Sequence, residues 1–258
     1  MKVDWSKTKT IFIVTFLILD LVLIYQFIEK RSLSQLDLIR EASIEEQLET
    51  EEITYVELPK QPVEGTYISG KSKIFLSEDI NRLKNQEIIL EDPTILRATF
   101  TEPIKFTDTN FSSKLNQFLK DQIISGESYV FWDYNEDTKT IILFQQYNND
   151  VFYNNPRGLL AIYLNDNNEI VSYMQTLLME IEEYDNEEIL SAIQSLEYLY
   201  RTDYLKYGSK VTKIELGYYP LVNLSQSQFL TPTWHIVVDD KTDYYVNAIE
   251  GQIIEIQE

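Results

Sequence analysis

One apolar run, Ile11 to Ile28 (IFIVTFLILDLVLIYQFI), limits what this 258-residue chain can become. It holds about 18 residues with one charge, Asp20, and at ~1.5 Å per residue it reaches roughly 27 Å, about the thickness of a bilayer hydrocarbon core. No other stretch is as long and apolar. A cleaved secretory signal has a shorter apolar core, of ~7–15 residues, ahead of a small-x-small site. Here the run leads instead into Glu29-Lys30-Arg31-Ser32-Leu33. A lipoprotein signal requires a cysteine, and the chain has none. A buried helix of a water-soluble core would sit awkwardly between Lys7-Thr8-Lys9 and Glu29-Lys30-Arg31. The pattern predicts one uncleaved transmembrane helix in contact with the lipid bilayer.

Lys2, Lys7, Lys9 and the amino terminus precede the run, whereas Lys30 and Arg31 follow it beside Glu29. The positive-inside rule then places the N-terminus in the cytoplasm and the C-terminal bulk outside. Trp5 and Tyr25 lie near the two ends, where amphipathic rings settle at the interface. Asp20 is the anomaly. An acid near mid-membrane costs a few kcal/mol and usually faces protein or water, and a single span cannot supply its own partner. Asp20 is therefore expected to meet a helix of another protein, on a face with Ile13, Phe16, Leu17, Leu23, Ile24 and Phe27. The competing reading is an acid that its apolar neighbours simply tolerate.

The formal charge is −20. The first 31 residues carry five basic and three acidic side chains, so the remainder holds about −22. A body so acidic is repelled by nucleic acid and by anionic polymers, which leaves proteins or neutral ligands as partners. Hydrophobic residues at 44% and aromatics at 13% provide for a folded core. The absence of cysteine fits an external domain built without disulfides.

The fold class expected is α+β: the single transmembrane helix plus an external domain of antiparallel sheets with packed helices. Residues 1–10 read as a cytoplasmic tail, 11–28 as the span and 29–62 as a juxtamembrane stalk, helical to about residue 50. Pro59, Pro62 and Gly65 mark a boundary. Strands are expected at Glu87–Leu90 and Ile95–Phe100, and a helix capped by Thr109 or Asn110 with Leu115, Phe118, Leu119 and Ile123 on one face. Hairpins follow, Tyr129–Tyr134 with Thr140–Tyr147, and Gly158–Leu164 with Glu169–Met179. Asp185 and Glu188 are spaced as a capping box ahead of a helix bearing Ile189, Ile193, Leu196 and Leu199. Strands at Lys210–Tyr218, Thr233–Val238, Asp243–Val246 and Gln252–Ile256 complete the chain. Helix followed by antiparallel strands thus occurs twice, predicting two related lobes, 63–183 and 184–258.

Signals for catalysis are sparse. The one histidine, His235, lies in the run Trp234-His235-Ile236-Val237-Val238, opposite Trp234, Ile236 and Val238 if the strand is regular. No nucleophile or orienting acid is marked beside it, so it reads as structural or solvent-facing. The usual zinc ligand sets are out of reach of this chain alone. Carboxylates are too numerous for any pair to be informative, though a two-carboxylate glycosidase would be invisible in sequence. The Asn165–Glu169 stretch is rich in oxygen ligands but lacks the spaced acids and Gly of a calcium loop, and reads as a turn. No phosphate-binding loop occurs. No metal, no cofactor and no enzymatic activity are expected. In the tyrosine pairs Tyr218-Tyr219 and Tyr244-Tyr245, one ring of each should face the core.

The segment Asp4-Trp5-Ser6-Lys7-Thr8-Lys9-Thr10-Ile11-Phe12-Ile13, followed by Phe16-Leu17-Ile18-Leu19-Asp20, resembles the start of the YycI (WalI) family. The closing strands, Thr233–Val238, Asp243–Val246 and Gly251–Ile254, also look like those of PepSY-type domains. The YycI resemblance implies a single-pass accessory protein of the YycG/YycF (WalK/WalR) two-component system of Gram-positive bacteria. It implies association with a YycH-like protein and with the sensor histidine kinase YycG/WalK, and regulation of cell wall metabolism. Two alternatives remain: an external receptor for a wall fragment or peptide, and a wall hydrolase.

Overall fold

The computed structural model describes residues 9, 12–21, 43–59, 64–105, 111–223 and 227–254. The chain divides into two units, Met1–Glu52 and Ile53–Glu258. In the first, residues 12–21 are helical (α1) and exposed along their length. Among the described residues no helix is long and apolar enough to cross a membrane. Ile11 and residues 22–28 of the expected span lie outside them. The same unit holds α2, Ile44–Thr50. Ser43 starts it through a capping box: its hydroxyl accepts from Glu46 N at 3.3 Å, and the Glu46 carboxylate accepts from Ser43 N at 3.3 Å.

The second unit opens with β1 (Thr54–Tyr55), β2 (Glu64–Ser72), α3 (Ser77–Ile80), β3 (Gln86–Asp92) and β4 (Ile95–Lys105). After α4 (Phe111–Gln122) come β5 (Tyr129–Asn135), β6 (Thr140–Tyr147), β7 (Asp150–Val151), β8 (Leu159–Leu164) and β9 (Glu169–Gln175). β10 (Leu178–Glu188) leads into α5 (Ala192–Arg201), and β11 (Lys210–Asn223), β12 (Ser227–Val238), β13 (Thr242–Asn247) and β14 (Ile253–Ile254) follow.

One sheet runs β3-β4-β9-β8-β6-β5, with β7 attached to β6, and all its pairs are antiparallel. The expected α4 face forms as read: Leu115, Phe118, Leu119 and Ile123 are buried in one cluster with Leu96, Phe100, Leu143, Leu160 and Tyr173 of the strands. Burial of each such large side chain contributes about 1.5–3 kcal/mol, so this face alone fixes the helix to the sheet. Its candidate caps, Thr109 and Asn110, lie outside the described residues. The hairpin turns also form where expected. In the second, Asn165 Oδ1 accepts from Asn167 N and Glu169 N, both at 2.9 Å, which makes the oxygen-rich stretch a turn closed on itself.

The other sheet is organised by β12. β11 pairs along its whole length on one side, while β2 covers Ser227–Leu230 and β13 covers Thr233–Val238 on the other. β10 adds to β2, β14 to β13, and β1 lies parallel to β11 at Lys210–Val211. β12 is buried almost throughout, with Trp234 at 0% and His235 at 2% exposure. Trp234 Nε1–H donates to Leu190 O at 2.8 Å, tying the approach to α5 onto this strand.

Three expectations need correction. The sheets do not divide at residue 183: β2, from the expected first lobe, pairs with β12, and β10 runs across the boundary. The span 29–62, read as stalk, contains β1, whose Thr54 N donates to Ser209 O at 3.1 Å. Asp185 and Glu188 do not cap a helix but belong to β10, and Ser191 with Gln194 form the capping box of α5. β10 is acidic and bulged twice against β2, so its sequence carries no clean alternation.

The sheets are tied by a side chain that behaves as backbone. Gln145, buried on β6, donates Nε2–H to Leu178 O and accepts from Leu178 N through Oε1, both at 2.8 Å, where β10 begins. Gln145→Leu keeps roughly the same volume and strands both backbone groups of Leu178. It should lower the unfolding free energy by about 2–3 kcal/mol in urea denaturation, and an unchanged midpoint would show that this tie contributes nothing.

Candidate functional site

Of the residues expected at the membrane, Ile13, Phe16, Leu17 and Asp20 lie on α1 and are exposed, as is Lys9. Trp5, Lys7, Leu23, Ile24, Tyr25 and Phe27 lie outside the described residues. The structure therefore assembles no part of that contact face beyond the helical conformation of residues 12–21.

It does assemble a seam where β5 and β6 meet the β11–β13 region, and His235 is at its centre. Strand pairing sets His235 opposite Glu215 on β11 and Tyr245 on β13, so the three share a face. Tyr245 stacks on the imidazole at 5.0 Å and 16°. Trp132 of β5 stands 4.9 Å from the ring and Tyr153 5.1 Å. Gly217 permits this closeness, since a Cβ there would lie 2.5 Å from the Tyr153 ring. His235 Nε2 meets Asp243 Oδ1 at 2.5 Å, while buried Nδ1 has no hydrogen-bond partner. Burial lowers the imidazole pKa below the usual histidine range, and the Asp243 carboxylate only partly opposes it. The ring is thus neutral near pH 7, donating through Nε2. The structural reading of His235 holds, and the solvent-facing one does not. The tyrosine pairs behave as expected, with Tyr218 and Tyr245 buried and Tyr219 and Tyr244 partly so.

Beside the seam, a cleft of about 710 Å³ runs along β11. Its lining includes Ile214 to Tyr218, Tyr153, Trp234, Glu64 and Asp150. Asp150 starts β7, in the bend where the chain leaves β6. Burial raises its carboxyl pKa to about 6, and among the described residues no cation or hydrogen-bond donor offsets it. Tyr153 and Tyr218 face it, and its charge helps burial push both phenols up, Tyr218 to about 12. A second, more apolar groove of about 900 Å³ lies between α4 and β5, and the two meet at Val130 and Gln146. Among the described residues, no group of three or more His, Cys, Asp or Glu could hold a metal ion. Sequence reasoning missed Asp150, because nothing local distinguishes it from the chain's other acids.

Two antiparallel-dominated sheets with few helices and an aromatic seam define an α+β domain. The model of one family, described as YycI protein, matches residues 33–249, and the chain belongs to the YycI family, a regulatory family. No curated protein matches the chain. Among solved structures, it is similar to an uncharacterized protein from Eubacterium rectale ATCC 33656, with 11% identity, TM-score 0.48, and coverage of 80% of this chain and 91% of that one. It is also similar to the C-terminal domain of Bacillus megaterium YpeB, with 14% identity, TM-score 0.40, and coverage of 63% and 72%. YycH from Bacillus subtilis matches with 14% identity and TM-score 0.37, over 76% of this chain and 52% of YycH.

The Asp150 carboxyl gives a pH signature. Its folded pKa lies above that of the unfolded chain, so the native state binds the extra proton between the usual carboxylate range and about pH 6. Its contribution is therefore most favourable at low pH and is lost as pH rises through about 6. Asp150→Asn should melt higher than the parent at pH 7.5, with the gap closing toward pH 4. Calorimetry showing the variant melting lower at pH 7.5 would contradict the assignment.

Proposed function

We propose that the protein is a membrane-anchored, non-catalytic regulator of the YycG/YycF (WalK/WalR) two-component system. The observation that carries this reading is the YycI family match over residues 33–249. The segment 11–28 crosses the membrane with the N-terminus in the cytoplasm, and the body from Ile53 onward stands outside. The span docks on helices of a YycH-like protein and of the sensor histidine kinase, with Asp20 finding there the partner that lipid denies it. A regulator shifts its target only by as much as it binds one state better. A difference of 1–3 kcal/mol changes the state ratio by ~5–150-fold, enough to set kinase output over cell wall metabolism.

A second reading, direct sensing of an external ligand, is favoured by one observation: the cleft along β11 with its unpaired Asp150. It complements the first, since a ligand held outside could bias the contact inside.

Asp20→Leu should leave membrane insertion intact and weaken association with the kinase and the YycH-like protein by roughly 3- to 30-fold, the range of one interhelical polar contact. Co-purification from detergent-solubilised membranes measures it. Unchanged recovery of both partners would remove Asp20 from the account, and crosslinkers along 11–28 that catch neither would remove the docking itself.

A further inference from the structure

β10 ends its sheet on one side. Among the described residues it pairs with β2 and with no other strand, and nine of its eleven residues are exposed. Lys73 N, just past β2, donates to Leu177 O at 2.8 Å, so the backbone of Leu177 faces β2 and that of Leu178 faces away. There the Gln145 amide pairs with both backbone groups of Leu178, as a neighbouring strand would. From Met179 to Glu188 that pairing is not continued: among the described residues, no backbone outside β2 bonds to this stretch. An open edge of roughly 33 Å, at ~3.3 Å per residue, is a template for a further strand.

The side chains of β10 decide which strand that is. Glu180, Glu182, Glu183, Asp185, Glu187 and Glu188 are six acids with no basic residue among them. Among the described residues only Glu180 meets a cation, Lys71 Nζ at 2.5 Å, while Glu183 accepts from the Tyr147 hydroxyl at 2.9 Å. Like charges set side by side on a sheet are unfavourable, and an incoming row of cations relieves them. Acids and bulges at an edge also keep copies of one chain apart. A second copy, itself at −20, is repelled, and a basic segment is attracted. The two bulges of β10 leave Glu182–Glu183 and Asn186–Glu188 in regular register with β2, so these stretches keep the strand geometry that pairing needs.

We propose that the free edge of β10 receives an extended, lysine- or arginine-rich segment of a partner protein, which pairs with the backbone along Glu182–Glu188 and lays its cations beside the acids of the strand. Backbone pairing holds the segment, and charge selects it against acidic ones. This contact is separate from the one at Asp20 and does not depend on it.

The test uses the full chain in phosphatidylcholine nanodiscs at physiological salt, where long-range attraction is screened. The probes are the blocked peptide Ac-Lys-Val-Lys-Val-Lys-Val-Lys-amide, its glutamate counterpart, and spermine, which matches its charge. A fourth probe is the lysine peptide N-methylated on three consecutive central backbone nitrogens, which blocks both its edges and leaves its charge unchanged. In calorimetric titration the lysine peptide should bind at least tenfold tighter than the methylated peptide or spermine, and the glutamate peptide should not bind. By hydrogen exchange, the bound lysine peptide should slow amides within Met179–Glu188 at least tenfold. It should leave β3 and β5, the edge strands of the other sheet, unchanged. Glu182→Gln combined with Glu187→Gln should weaken the lysine peptide at least threefold. Glu87→Gln combined with Glu102→Gln, two exposed acids of β3 and β4, should not change it. No binding, equal binding of the methylated peptide or of spermine, equal losses in the two double variants, or protection at β3 or β5 in place of β10 would overturn the proposal. Chains that associate through β10 without peptide would give the edge to a second copy and overturn it as well. The exchange measurement uses the parent, so it decides even where the β10 variant fails to fold. Asp20→Leu should bind the lysine peptide normally, so failure here leaves the membrane contact standing.

Discussion

Everything in the Ile53–Glu258 unit refers back to β12, a strand whose backbone is occupied on both sides. β11 takes one edge, and β2 and β13 share the other in succession. That sharing is what carries the chain's early strands into the same sheet as its last ones. Both faces of this strand are also buried over most of its length, and its side chains are used differently on each. Trp234 anchors the approach to α5 through Leu190, while His235, one residue on and therefore on the opposite face, enters the aromatic seam with Trp132 and Tyr153. The register of one strand thus sets the helix contact, the seam and the wall of the cleft.

The cost at Asp150 makes sense in that setting. A carboxylate can be kept half-buried and unpaired only where the surroundings are too rigid to relax around it, and the β11–β12 pair and the Gln145–Leu178 tie supply that rigidity. His235 shows the opposite solution. It is more deeply buried, yet it stays neutral and spends its one donor on Asp243. The His235 ring is held by aromatic packing and one bond to Asp243, whereas the Asp150 carboxylate beside it is desolvated with no such partner among the described residues.

Much of this was legible in the sequence where local signals agree. The α4 face, the hairpins around Asn135–Thr138 and Asn165–Asn168, and the inward ring of each tyrosine pair follow from periodicity and turn residues. β10 was not legible. Its acids sit on a bulged strand that, among the described residues, pairs only with β2, which leaves neither the alternation of a strand nor the apolar face of a helix. The β2–β12 pairing joins residues about 160 positions apart, and no local pattern encodes such a partner. Asp150 was hidden for a related reason: desolvation is a property of what folds over a side chain. Family membership was approached from residues 4–20, whereas the family match covers 33–249. The inference and the match rest on different parts of the chain.

The central claim is that the two sheets form one cooperative body, joined where His235 of β12 meets Trp132 of β5 and where Gln145 of β6 holds Leu178. Native-state hydrogen exchange on the full chain tests it most directly. The amides of Trp234 to Val237 on β12 should exchange in the same slowest class as Leu143 and Ile162 of the other sheet, and respond in parallel to added denaturant. Separate opening of the β12 amides, at a lower free energy than those of β6 and β8, would show two independent sheets and contradict the account.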